Sequence, residues 1–338
     1  MLKDLRQHVL TAALAAMAVG GPAATAAAEE LSIAHFMAPQ HVMHRALMAP
    51  LAEEVAAATG GALTMRIYPG GELGAGPQQQ YMRAVEGVAD VAFGLQGYTS
   101  PQFPRTLLVE LPGLADDPVE ATAMLWNAFD DHLADEYRGV HVLGIWTNEP
   151  NILMTRDRPI RSLDDLAGMK IRVPGAVMGR TVEALGATPV AMPAPRMYNA
   201  LNTGIVDGLL VGPCVIPAFK IGEVANHFTV GLPLGVAAFF LVMNEASWDG
   251  LSDDDRVVLD RLTGREMSLE AAASYGDCGA RAVESMRADP NKEVIELPAD
   301  EVARFEDILN VVREDVLNDA EASGVPARAT IDAMKAGG

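Results

Sequence analysis

The strongest constraint on this chain is an ordered alternation of strand and helix signals in roughly the first hundred residues after its N-terminal apolar stretch. Residues 31–36 read as a strand. Residues 41–59 carry helical spacing (Val42, Leu47, Leu51, Val55) and stop at Gly60-Gly61, a C-cap signal. Residues 63–68 alternate apolar and polar as a strand and end at Pro69-Gly70-Gly71, and 77–87 form a second helix with proline in its first turn. Residues 88–95 are a third strand. This β-α-β-α-β order predicts parallel strands joined by right-handed crossovers, hence a doubly wound sheet.

A second unit of the same kind follows. Strands are expected at 140–146, 169–173, 188–191 and 206–211, with helices at 178–185 and 197–203 between them. Ser162 and Asp165 have capping-box spacing. A strand at 240–243 begins a return, a helical region opened by Ser252 runs to about 288, and 298–322 forms another helix. Asp253-Asp254-Asp255 reads as a favourable helix N-terminus and not as a metal site. Ligands of open α/β sheets sit outside the carboxyl ends of the strands, so two such units facing each other make a cleft. The expected fold is therefore α/β and two-lobed, with lobe I at 29–150, lobe II at 151–238, and a return with C-terminal helices at 239–338.

Residues 1–28 are expected to be an export signal. Lys3 and Arg6 precede an apolar stretch from Val9 to Val19, and a run of small residues ends at Ala28. The apolar stretch is shorter than the roughly 20 residues that a spanning helix needs. The formal charge is −20, which argues against nucleic acid or anionic membrane as partners. It does not forbid an anionic ligand, because distant charges are screened at physiological salt. Cys214 and Cys278 can pair in an oxidising compartment, but sequence does not decide it. No Gly-x-Ser-x-Gly, His-Glu-x-x-His, Walker or Cys-x-x-Cys motif occurs, so neither an enzyme nor a bound cofactor is expected. His41 and His44 lie at i, i+3 without a clustered third ligand, and no metal site is assigned to them.

Several blocks recur in one order. They are 51–60 (LAEEVAAATG), 68–74 (YPGGELG), 84–90 (AVEGVAD), 163–175 (LDDLAGMKIRVPG), 185–190 (LGATPV) and 198–208 (YNALNTGIVDG). Together they resemble the solute-binding subunits of TRAP (tripartite ATP-independent periplasmic) transporters, the DctP-like family, over about 31–316. The resemblance implies a periplasmic-binding-protein clamshell with cross-lobe strands and a long C-terminal helix. It also implies a periplasmic protein, expected to be monomeric, that hands its ligand to a small and a large integral membrane subunit.

Arg172, at the C-terminal end of the 169–173 strand and just before Pro174-Gly175, is the first candidate ligand residue. Its planar fork matches a carboxylate and stays charged, and the matching arginine of the family pairs with the ligand carboxylate. Lys170 is expected to be a solvated charge. Two departures from the family matter. Leu209-Leu210-Val211-Gly212 stands where many members have Gln-Glu-Asn-Pro, so Val211 replaces a polar contact, and the second arginine expected near Asn151-Ile152 is missing, with none between Val140 and Met154. A cleft short of donors rejects polyhydroxylated ligands, whereas Phe36, Met37, Tyr98, Trp146 and Phe239, at or after strand ends, suit an apolar body. The expected ligand is a monocarboxylate with an apolar or aromatic body, such as a benzoate-like acid. Asn148, Glu149 and Asn151 follow the 140–146 strand and could bond ligand substituents. Glu149 or Glu72 could instead face an amine, which keeps a small amino alcohol as the alternative. An enzyme or sensor domain on the same fold is a further alternative.

Overall fold

The computed structural model describes residues 29–74 and 76–337. The expected export signal lies outside the described residues. Eleven strands are found among those residues: β1 (Glu29–Ala34), β2 (Leu63–Tyr68), β3 (Val91–Leu95), β4 (Val140–Thr147), β5 (Ile152–Thr155), β6 (Lys170–Val173), β7 (Thr188–Ala191), β8 (Gly208–Val211), β9 (His227–Val230), β10 (Ala238–Asn244) and β11 (Glu293–Glu296). They form two sheets, ordered β2-β1-β3-β10-β4 and β11-β9-β5-β8-β6-β7.

The parallel pairings of β1 with β2 and with β3 match the alternation in the sequence. Strand order reverses at β1, so the crevice of the first sheet opens beyond the carboxyl ends of β1 and β3. In the second sheet β6 runs parallel to β7 and β8. Both sheets are mixed, however. β10 is antiparallel to β3 and β4, and β5 is antiparallel to β8 and β9.

Strands β5, β9 and β11 were not expected. Each has four residues. The helical region expected from 252 to 288 is two helices, Asp253–Leu262 and Arg265–Ala288, broken where Gly264 takes φ 85°. The acidic triplet fills the first turn of the former, and the Ser252 hydroxyl accepts the Asp255 N–H at 3.1 Å. A final long helix, Ala299–Ala322, matches the expected stretch.

Two antiparallel connections join the sheets. Asn148 and Asn151, between β4 and β5, bond the segment between β9 and β10. The Asn148 N–H donates to the Ala237 carbonyl at 3.0 Å and its Oδ1 accepts the Ala237 N–H at 2.6 Å. The Asn151 N–H and Nδ2 both donate to the Gly235 carbonyl at 2.9 Å. Helix Arg265–Ala288 packs on β4 of the first sheet and β11 of the second. A disulfide between Cys214 and Cys278, with Cα atoms 5.2 Å apart, pins the loop after β8 to that helix.

The core divides on β10. Phe239, Leu241 and Met243 face one apolar cluster, while Ala238, Phe240 and Val242 face another. Alternation along a strand produces this split, and it decides which aromatic rings reach the cleft.

Candidate functional site

Arg172 stands at the end of β6 and is 1% exposed. Its Nε donates to the Met192 carbonyl at 2.9 Å, and the Tyr98 hydroxyl lies beside the guanidinium. Burial pulls the Arg172 pKa down, and Tyr98 opposes that shift. No carboxylate pairs with Arg172 among the described residues. Tyr98 follows β3 and bridges the two lobes, because its hydroxyl also accepts the Ala194 N–H at 2.7 Å.

Arg172 and Tyr98 share one enclosed cavity with Asn148, Asn151, Val211 and Phe239. The cavity is narrow, with a volume of about 40 Å³. The two asparagines are largely spent on the inter-lobe crossings described above. Phe239 presents a ring that stacks 5.6 Å from Phe93 and 5.2 Å from Tyr275, centroid to centroid.

Three predicted residues stand elsewhere. Trp146 is fully buried and stacks on Phe93 at 5.8 Å, one layer behind Phe239, so it shapes the cavity wall from the core. Phe36 is buried between Phe93 and Tyr98, again behind the wall. Glu72 is exposed in the turn after β2. Its turn bonds back to the segment after β1, where the Gly70 N–H donates to the Met37 carbonyl at 2.8 Å, but Glu72 itself does not line the cavity. Lys170 is exposed at the opposite end of β6 from the cavity.

The cavity also holds groups that sequence reasoning weighed otherwise or missed. Glu149, considered for ligand substituents or for an amine, is buried. Its Oε1 accepts the Cys214 N–H at 2.6 Å, and burial pushes its pKa up to about 8. Glycines make room for it: a Cβ at 212 would lie 2.6 Å from Glu149 Oε1, and one at 279 would lie 2.7 Å from its Cγ. His41, considered for a metal, lines the cavity with its ring 5.9 Å from that of Tyr275, and burial lowers its pKa to about 3. Its neighbour His44 bonds His35 instead, at 2.9 Å. Tyr275 and Phe219 complete the wall and carried no signal beyond burial. Tyr275 comes from helix Arg265–Ala288, more than a hundred residues from most of its neighbours in the site.

The arrangement offers one buried cation, a largely apolar wall and a single buried carboxyl. A family model described as bacterial extracellular solute-binding protein, family 7 (DctP) matches residues 33–319. The chain is 26% identical over 338 residues to a Comamonas testosteroni protein called outer membrane transporter protein TsaT, covering 98% of each. A TRAP solute-binding protein from Rhodoferax ferrireducens, solved with copurified benzoate, aligns with TM-score 0.87 at 29% identity over 91% of this chain and 96% of that one. Another, from an unidentified marine microbe, described as specific for aromatic acid ligands and solved with 3-hydroxybenzoate, aligns with TM-score 0.87 at 27% identity over 91% and 97%. The matched family spans both sheets and the cavity between them: this chain belongs to the family 7 extracellular solute-binding proteins, the DctP-type solute-binding subunits of TRAP transporters.

Proposed function

We propose that this protein captures a small monocarboxylate with an apolar, benzoate-like body, with Arg172 gripping the carboxylate between the closed lobes. In this reading it works in the periplasm as a monomer and passes its ligand to a small and a large membrane subunit. The observation that carries the reading is the Arg172 guanidinium, buried with no acidic partner among the described residues. A buried charge left uncompensated is costly, and a ligand carboxylate would neutralise it in a bidentate pair.

The wall around it supports an apolar body. Phe239, Val211, Val215 and Phe219 line the cavity, and burying apolar surface contributes about 25 cal/mol per Å². A hydroxyl placed against such a wall loses its water partners and gains none, which disfavours sugar acids. Relatives solved with benzoate and with 3-hydroxybenzoate bind ligands of this class. Because the closed cavity is narrow, the ligand enters when the lobes part, and it favours closure by as much as it prefers the closed state.

A thermal-shift screen of the purified protein tests this. Benzoate and phenylacetate should raise the unfolding midpoint by several degrees, since a ligand at a hundred times its Kd stabilises by about 2.7 kcal/mol. Glucuronate and ethanolamine should not. A shift produced by the amine and by none of the acids would overturn the carboxylate reading.

A further inference from the structure

The same cavity holds two buried polar atoms without a partner among the described residues, Glu149 Oε2 and the Tyr275 hydroxyl. Their side chains are 4% and 3% exposed. The other Glu149 oxygen is committed to the Cys214 N–H, so Oε2 is the one left over. Gly212 and Gly279 give this carboxyl its place, since any side chain at either position would run into it. Buried polar atoms are almost always paired in native structures, and those that are not call for a ligand or another explanation.

We infer that Glu149 and Tyr275 form a second polar pole of the cavity, which receives a hydroxyl substituent on the apolar body of the acid held by Arg172. The inference rests on the carboxylate reading and narrows it to hydroxylated monocarboxylates. The bonding inventory selects the substituent. A hydroxyl has one hydrogen to donate and lone pairs to accept, which suits one carboxyl oxygen and one phenol. An amine, whether an ammonium or the neutral aryl amine of 3-aminobenzoate, offers hydrogens but no good acceptor, so the Tyr275 hydroxyl hydrogen stays unpaired. A methyl or hydrogen at the same place would leave both atoms unpaired. The Phe239 ring, 5.2 Å from that of Tyr275, supplies an apolar surface beside the pole.

Calorimetric titration with benzoate, the three monohydroxybenzoates and 3-aminobenzoate tests the inference on the purified protein. One hydroxy isomer should bind at least tenfold tighter than benzoate, the discrimination expected when a substrate hydroxyl meets a site built to bond it. The ratio of the two affinities should fall toward one in Tyr275→Phe and in Glu149→Gln. If benzoate binds and no hydroxy isomer gains on it, the second pole is wrong and the Arg172 reading stands. If the amino compound is preferred, or the ratio is unmoved in both folded variants, the pole is also wrong. If no aromatic acid binds, the carboxylate reading fails and takes this inference with it. Should a variant not fold, the wild-type ratios alone decide.

Discussion

Gly97 and Gly175, which follow β3 and β6 on opposite sheets, meet backbone to backbone: a Cβ at 175 would lie 2.6 Å from the Gly97 carbonyl oxygen. Beside them, Tyr98 holds the Ala194 N–H. The lobes therefore close through main chain, with no side chain between them at that point.

Gly175→Ala should hinder that closure without harming either lobe. Its backbone, φ −156°, suits any residue, so the effect is confined to the contact. We expect at least a tenfold rise in Kd for the best acid, because affinity falls with the population of the competent state. Titration calorimetry measures it, and an unchanged Kd would remove this contact from the ligand-bound form.

Arg172→Ala should abolish the response to acids, a loss of about 2–5 kcal/mol for removing one partner of a buried pair. Arg172→Lys should lose at least tenfold as well. Lysine keeps the charge but cannot both reach the Met192 carbonyl and present a fork. Full binding by the lysine variant would show that charge alone suffices.

Stability should be flat between about pH 4.5 and 6.5 and fall on either side. Burial raises the Glu110 and Glu149 carboxyls to about 8. In the folded protein they keep protons that the unfolded chain releases near 4.5, so stability is lost as pH rises toward 8. Burial, then the neighbouring histidines, lowers His35 to about 4 and His41 to about 3. The unfolded chain takes up those protons near 6.5 and the folded protein does not, so stability is lost as pH falls below that point. Between the two values the effects oppose each other. Unfolding midpoints across pH 4–9 measure the profile, and Glu110→Gln should flatten the alkaline limb. A wild-type midpoint that rises from pH 6.5 to 8 would contradict the carboxyl assignments.

Breaking the Cys214–Cys278 bond should cost about 4 kcal/mol for a separation of 64 residues, by the loop-entropy estimate. It should also weaken ligand binding, because the Cys214 N–H holds Glu149 in the cavity wall. Calorimetric scans with and without a thiol reductant measure the first effect, and titrations of a Cys278→Ser variant measure the second. Equal midpoints under both conditions would show that the bond adds nothing.

Much of this protein was written into local sequence. Parallel pairing of β1, β2 and β3 followed from strand and helix periods, and Ser252 with its acidic triplet marked a helix start. Arg172 was legible because it stands at a strand end before Pro174-Gly175, where a side chain meets the cleft. Phe239 was legible for the same reason, and Val211 through its place in the family resemblance; both line the cavity. What local pattern could not supply was which strands turn antiparallel. Strands β5 and β9 lie where the chain crosses between lobes, and the bonds of Asn148 and Asn151 hold those crossings together. Nor could it separate the wall from the layer behind it, since Trp146 and Phe239 read alike as aromatics at strand ends. The meeting of Glu149 and Tyr275 in one cavity, and the glycines that let the carboxyl in, join residues distant in the chain. Only packing brings such groups within reach of one another, because side-chain contact depends on spatial and not sequential distance.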